Sequence, residues 1–201
     1  MSPSLWLKGL LFDVEEGTNP LAVAGKGVIF AVAVIWGLFF ILRPLETNYS
    51  GRSFMHLINI PFHEAGHLLF SPLGEFMAYL GGTLMQVLVP AVCAVAFLRS
   101  GDRFGASVAL WWAGQSLIDA APYINDARVR ELMLIGGVTG REVPEGHDWY
   151  VLLGKLGLLK QDRVIARLTH LAGSLVILLS LLWGGHLLRV QFRKRDKGIG
   201  L

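Results

Sequence analysis

Charge and cysteine are what this chain has least of. Only 16% of its 201 residues are Asp, Glu, Lys or Arg, against roughly 25% in soluble domains. Hydrophobic side chains make up 53%, and the mean hydropathy is +0.53. A chain of this size cannot hide so much apolar surface from water, which excludes a soluble globule and points to an integral membrane protein. The single cysteine, Cys93, lies in an apolar run. It excludes an internal disulfide framework and any cysteine-only metal cluster. A net charge of +3 is too small and too scattered for a nucleic-acid partner. The densest basic piece, Arg193-Lys194-Arg195 with Arg189 and Lys197, follows an apolar run directly, as a membrane-flanking segment does.

A membrane span needs about 20 mostly apolar residues. Residues 76–98 and 168–188 meet that with no charge, and 21–42 meets it with one, Lys26, near enough to an end to snorkel. The first run follows an acidic, turn-rich segment and so lacks the basic start of a signal peptide. Two further stretches are apolar but interrupted. Residues 54–74 carry His56, His63, Glu64 and His67, and residues 104–125 carry Asp119. Ionisable groups inside a membrane segment are costly and face a protein interior or a water-filled cavity, so function is sought there. The expected fold is all-α: a single polytopic domain of about five transmembrane or membrane-embedded helices, the second shortened by Pro61 and the turn at 71–74. The charged stretch 127–166, with Gly136-Gly137 and Pro144, reads as an extramembrane loop with a short interfacial helix near 150–159. No internal repeat is visible. A basic tail at 189–201 placed in the cytoplasm puts the N-terminus outside if all five segments cross.

His63-Glu64-Ala65-Gly66-His67 is an HExxH motif. Helical residues four apart share a face, so both imidazoles can reach one ion, and Glu64 beside them can take a proton from a water that the ion polarises. Zinc suits two neutral imidazoles and leaves a position for water. In a soluble protein five residues match this pattern easily by chance. Here two His and a Glu sit in an apolar helix, where leaving them unpaired costs several kcal/mol. A third ligand must come from another segment. Asp119 and Asp126, either side of the helix-breaking Pro122, are the candidates.

On these residues the chain resembles the site-2 protease family of intramembrane zinc metallopeptidases. In that family an HExxH helix is joined by an Asp from a later Asn-x-x-Pro…Asp-Gly segment. Asp119 stands at the Asn position, Pro122 at the Pro and Asp126 at the ligand Asp. Ala127 replaces the Gly, and the gap between Pro and Asp is a residue shorter. The resemblance covers about residues 55–127 and implies His63, His67 and Asp126 as metal ligands with Glu64 as catalytic base. It also implies Zn2+ as cofactor, hydrolysis of a membrane-protein or peptide substrate, and a multi-pass place in the lipid bilayer of a cell (inner) membrane. The competing reading is a metal-binding scaffold or transporter using the same His/Glu/Asp cluster, although paired halves of a transporter are not visible.

Other polar residues carry weaker expectations. Gln86, after Gly81-Gly82-Thr83, either faces the same cavity or hydrogen-bonds across helices. Asn59 and Gln115 are candidates to orient ligating groups. His56, about two turns before His63, is too distant to share its ion and reads as a packing or interfacial residue. His147 is a loop residue, a weak metal or partner contact at most. His170 and His186 read as helix-contact and interface groups, and Trp111, Trp112 and Trp183 as packing or boundary residues.

Overall fold

Helices start in this chain where capping chemistry permits. Asn19 accepts the Leu21 N–H at 2.9 Å, and Pro20 occupies the first turn, where its missing N–H costs nothing. Helix α1 (Pro20–Leu42) follows. Ser53 caps α2 (Phe54–Phe70) through the His56 N–H. Gly74, at φ +102°, makes the sharp entry to α3 (Glu75–Arg99). Asp102 caps α4 (Arg103–Asn125) through the Gly105 N–H at 2.8 Å. His147 caps α5 (Asp148–Lys155), and α6 (Asp162–Gly198) completes the bundle. This computed structural model describes residues 9–13 and 19–198, with side chains to Lys194. The turn-rich residues 14–18 and the tail beyond Gly198 lie outside it.

Among the described residues all regular secondary structure is helical, apart from one isolated bridge between Met133 and Thr139 in the irregular connection after α4. Each of the five expected segments is a helix. Three of them, α1, α3 and α6, are long and apolar enough to cross a membrane. α4 is as long as α1 but reads as less apolar because it is the central helix. Its buried face is built largely from Ala, Gly, Ser and Gln packed on neighbouring helices. α1 is the opposite case, with Leu21, Val28, Val32 and Ile35 all exposed.

Glycines set the two tightest helix crossings. A Cβ on Gly114 of α4 would lie 2.8 Å from the Gly173 carbonyl of α6, and one on Gly173 would lie 2.6 Å from the Gly114 carbonyl. Gly66 of α2 and Gly81 of α3 approach so closely that neither has room for a Cβ. Phe40, Trp111, Ile118 and Ile177 fill the core between α1, α4 and α6, with Met55 of α2 against them.

The path of α2 decides where the site lies. At one end of the bundle Lys26 of α1 stands over the Phe104 ring at the start of α4, and both line a recess with Leu187 and Gln191 of α6. At the other end Leu45, just past α1, packs with Ile124, Ala127 and Leu153. Ser50 reaches the Ile118 carbonyl on this half of the bundle, and Glu75 at the start of α3 pairs with Lys155. The chain therefore enters and leaves α2 on the same half of the bundle. Placing the N-terminus opposite the tail required five crossings. Instead, the start of α1 and the end of α6 lie together. In place of the expected interfacial helix stands α5, starting two residues earlier and ending four earlier than anticipated, and packed inward through Leu152 and Leu153.

Candidate metal centre

His63 and His67, one turn apart on α2, present their Nε2 atoms side by side, with ring centroids 4.7 Å apart. Their Nδ1 atoms are already committed. His63 Nδ1 donates to Gln86 Oε1 at 3.0 Å, and His67 Nδ1 donates to the Ala78 carbonyl at 2.8 Å. Gln86 Nε2 donates in turn to the Ser116 carbonyl at 3.0 Å, which fixes the amide so that its oxygen faces His63. Both imidazoles are thus oriented through Nδ1 with Nε2 turned toward the site, as a ligating histidine requires.

The third group at this point is Asp148. Its Oδ2 lies 3.0 Å from His63 Nε2 and 3.4 Å from His67 Nε2. One ligand atom from each of His63, His67 and Asp148 lies within 4.8 Å of the others, so the group can hold a metal ion. Tetrahedral ligands at about 2.0–2.1 Å from an ion stand roughly 3.4 Å apart, close to the spacings found here. The donor chemistry agrees: two imidazole nitrogens and a carboxylate oxygen converge on one point, the ligand types that a divalent cation takes. Gly82 of α3 supplies the space, since a Cβ there would lie 2.6 Å from both Nε2 atoms.

Several bonds deliver Asp148 to this point. Its backbone N–H donates to the Tyr123 hydroxyl at 2.9 Å, and Trp149 Nε1 donates to Thr83 Oγ1 at 3.1 Å, next to Gly82. His147 is fully buried. Its Nδ1 accepts the Tyr150 N–H, so Nε2 carries the hydrogen and donates to Asp126 Oδ2 at 3.3 Å. The His147 ring also packs on Tyr123, with centroids 4.3 Å apart.

Asp126, expected as the third ligand, is used elsewhere. It accepts the Glu131 and Leu132 N–H groups at 3.0 and 2.9 Å as well as His147. Burial by itself would push its carboxyl up, but the His147 imidazole and these two N–H groups hold it below the usual carboxylate range. Asp126 follows the last residue of α4, where peptide N–H groups of the turn are close at hand, and it is consumed in fastening the loop that carries Asp148. Asp119 is not in the metal group either; it pairs with His56. Asn59 and Gln115 orient that pair rather than the metal-site histidines. Gln86 meets both expectations: it lines the cavity and bonds across helices to His63 and the Ser116 carbonyl. His170 lies 3.3 Å from the Phe40 carbonyl, a helix contact as expected, and His186 packs edge-on against Phe12.

Glu64 is exposed and lines the same cavity as His63, His67 and Asp148. The cavity holds about 540 Å³ and is walled by α2, α3 and α4. A further wall is the segment from Leu132 to Val143, folded over by the Leu134 N–H to Val138 carbonyl bond, with Gly136 and Gly137 turning at positive φ. Asp148 carries no motif in the sequence. The one local signal is its place in Gly146-His147-Asp148-Trp149, a polar knot just before a helix with an apolar face. No protein-family model, curated protein or solved structure matches the chain.

Proposed function

We propose that the protein is an intramembrane zinc metalloprotease of the site-2 protease kind, with His63, His67 and Asp148 as ligands and Glu64 as general base. The observation that supports it is the convergence of two imidazoles, each oriented through Nδ1, and one carboxylate in a cavity that Glu64 also lines. Zinc fits this donor set best, and when bound it lowers the pKa of a coordinated water and polarises a carbonyl. Glu64 takes the proton from the attacking water and returns it to the leaving amine. Gln86 and Ala78 keep the imidazoles oriented through the reaction, and the low-dielectric walls strengthen each charge interaction. In this reading α1, α3, α4 and α6 cross the bilayer of the cell membrane while α2 stays on one half of it. His67 lies about one turn, roughly 5 Å, from the end of α2, so the centre lies below the membrane surface and close to water. The substrate is a transmembrane or juxtamembrane peptide that unwinds locally, because a helix engages its own carbonyls.

The test is cleavage of membrane peptides by the purified, zinc-loaded protein in detergent, alongside Glu64→Gln. The expected result is about one zinc per chain in both proteins, with a rate at least 100-fold lower in the variant, the scale of general-base catalysis. Equal cleavage by the two overturns the reading. Zinc retained with no cleavage by either assigns a non-proteolytic metal scaffold instead.

A further inference from the structure

The cavity holds a second polar group, apart from the metal ligands. His56 stands on the His63 side of α2 about two turns earlier, roughly 10 Å along the axis. It lines the same cavity, and its Nδ1 lies 3.1 and 3.0 Å from the two carboxylate oxygens of Asp119, which is buried at 6% exposure. Asn59 Nδ2 donates to Asp119 Oδ2 and to Gln115 Oε1, both at 3.0 Å. Trp112 Nε1 donates to Asn59 Oδ1 at 2.9 Å, which settles which end of that amide faces Asp119. Asp119 thus accepts from Asn59 Nδ2, and His56 Nδ1 faces both of its oxygens. His56 Nδ1 must then donate, which leaves Nε2 to the cavity. A lone buried carboxylate between apolar helices is costly, and an imidazolium beside it cancels the charge. Paired in this way as an imidazolium, His56 presents an Nε2–H to the cavity. Four side chains are spent on presenting one N–H to the cavity, more than packing requires.

We propose that His56, held by Asp119, is a peptide-anchoring subsite: its Nε2–H donates to a main-chain carbonyl of the substrate about three residues from the bond that is broken. The proposal rests on the metalloprotease reading. An extended chain advances about 3.3 Å per residue, so the roughly 10 Å between His56 and His63 corresponds to three residues. An extended chain also offers carbonyls that a helix keeps to itself, so the anchor selects peptide that has unwound. Asp119 is a positioning residue here, and His56 is the group that touches the substrate.

The experiment uses the zinc-loaded full chain and a peptide series sharing one cleavage sequence, lengthened from one to five residues on each side of the bond. Wild type is expected to gain about tenfold in kcat/KM when the third residue is added on one side, the scale of a hydrogen bond from a charged donor. His56→Ala is expected to lose that step while zinc content is retained, and Asp119→Asn to shrink it. An undiminished tenfold step in His56→Ala overturns the subsite. If thermal unfolding shows that His56→Ala misfolds, the step in Asp119→Asn decides in its place. Wild-type cleavage with no length step overturns the subsite alone. Zinc-loaded wild type that cleaves no peptide of any length overturns the metalloprotease reading and the subsite with it.

Discussion

Asp148 Oδ2 stands 3.0 Å from His63 Nε2, although 85 positions separate the two residues in the chain. The contact exists because the connection between α4 and α6 folds back over α2 and α3 and is fastened there. Tyr123 holds the Asp148 backbone, Trp149 reaches Thr83, and His147 is tied to Asp126 at the end of α4. The metal group is thus split between a rigid helix and a fastened loop, and each half can be tested separately.

Removal of the loop's contribution is the first test. Asp148→Ala is expected to weaken zinc binding by more than about 100-fold, because loss of an outer partner alone costs 10–100-fold and this change removes a ligand. Competition against a chelator of known affinity measures it. Zinc affinity unchanged in the variant would return the third position to another residue.

Fastening predicts a smaller effect of the same sign. His147→Ala leaves all three ligands in place but frees the start of α5 from Asp126. Zinc affinity is expected to drop about tenfold, within the range of outer-shell losses. The same competition assay reads it, and circular dichroism should show the α1–α4 and α6 helices intact.

Gly82→Val addresses the space between the imidazoles. Even a Cβ would lie 2.6 Å from both Nε2 atoms, so a branched side chain occupies the position of the ion. Zinc content of the purified variant is expected to fall from about one per chain to a small fraction, with the protein still folded.

Asp126 supplies a pH dependence. Its carboxyl is held below the usual range in the folded chain, and the unfolded value is about 3.9. A depressed carboxylate contributes stability that is present above the unfolded value and disappears as pH falls through the folded one. The unfolding midpoint in detergent with excess chelator is therefore expected to drop below about pH 4. The drop should be shallower in Asp126→Asn, and identical curves would show that the pair contributes nothing.

Packing at the α4–α6 crossing gives a prediction independent of the site. Gly114→Val has no room against the Gly173 carbonyl and Ile177. Overpacking of this kind costs about 1–3 kcal/mol, read as a lower unfolding midpoint in detergent.

What the amino-acid order settles here is local. Runs of apolar residues long enough for a membrane place the helices to within a few positions, because helix length and hydropathy are properties of consecutive residues. HExxH puts His63, Glu64 and His67 together for the same reason: helical periodicity alone brings positions four apart onto one face. The third member of the group is another matter. Asp126 and Asp148 both flank helices in the same connecting segment, and the choice between them depends on which carboxylate finds peptide N–H groups nearby. Asp126 does, and is used up; Asp148 is carried across the bundle to the imidazoles. Likewise, α2 is apolar enough to be expected in the membrane yet enters and leaves on one half of the bundle, since the close approach of Gly66 to Gly81 and the His56–Asp119 pair fix its path. Those contacts join residues far apart in the chain, and only the folded arrangement of helices decides them.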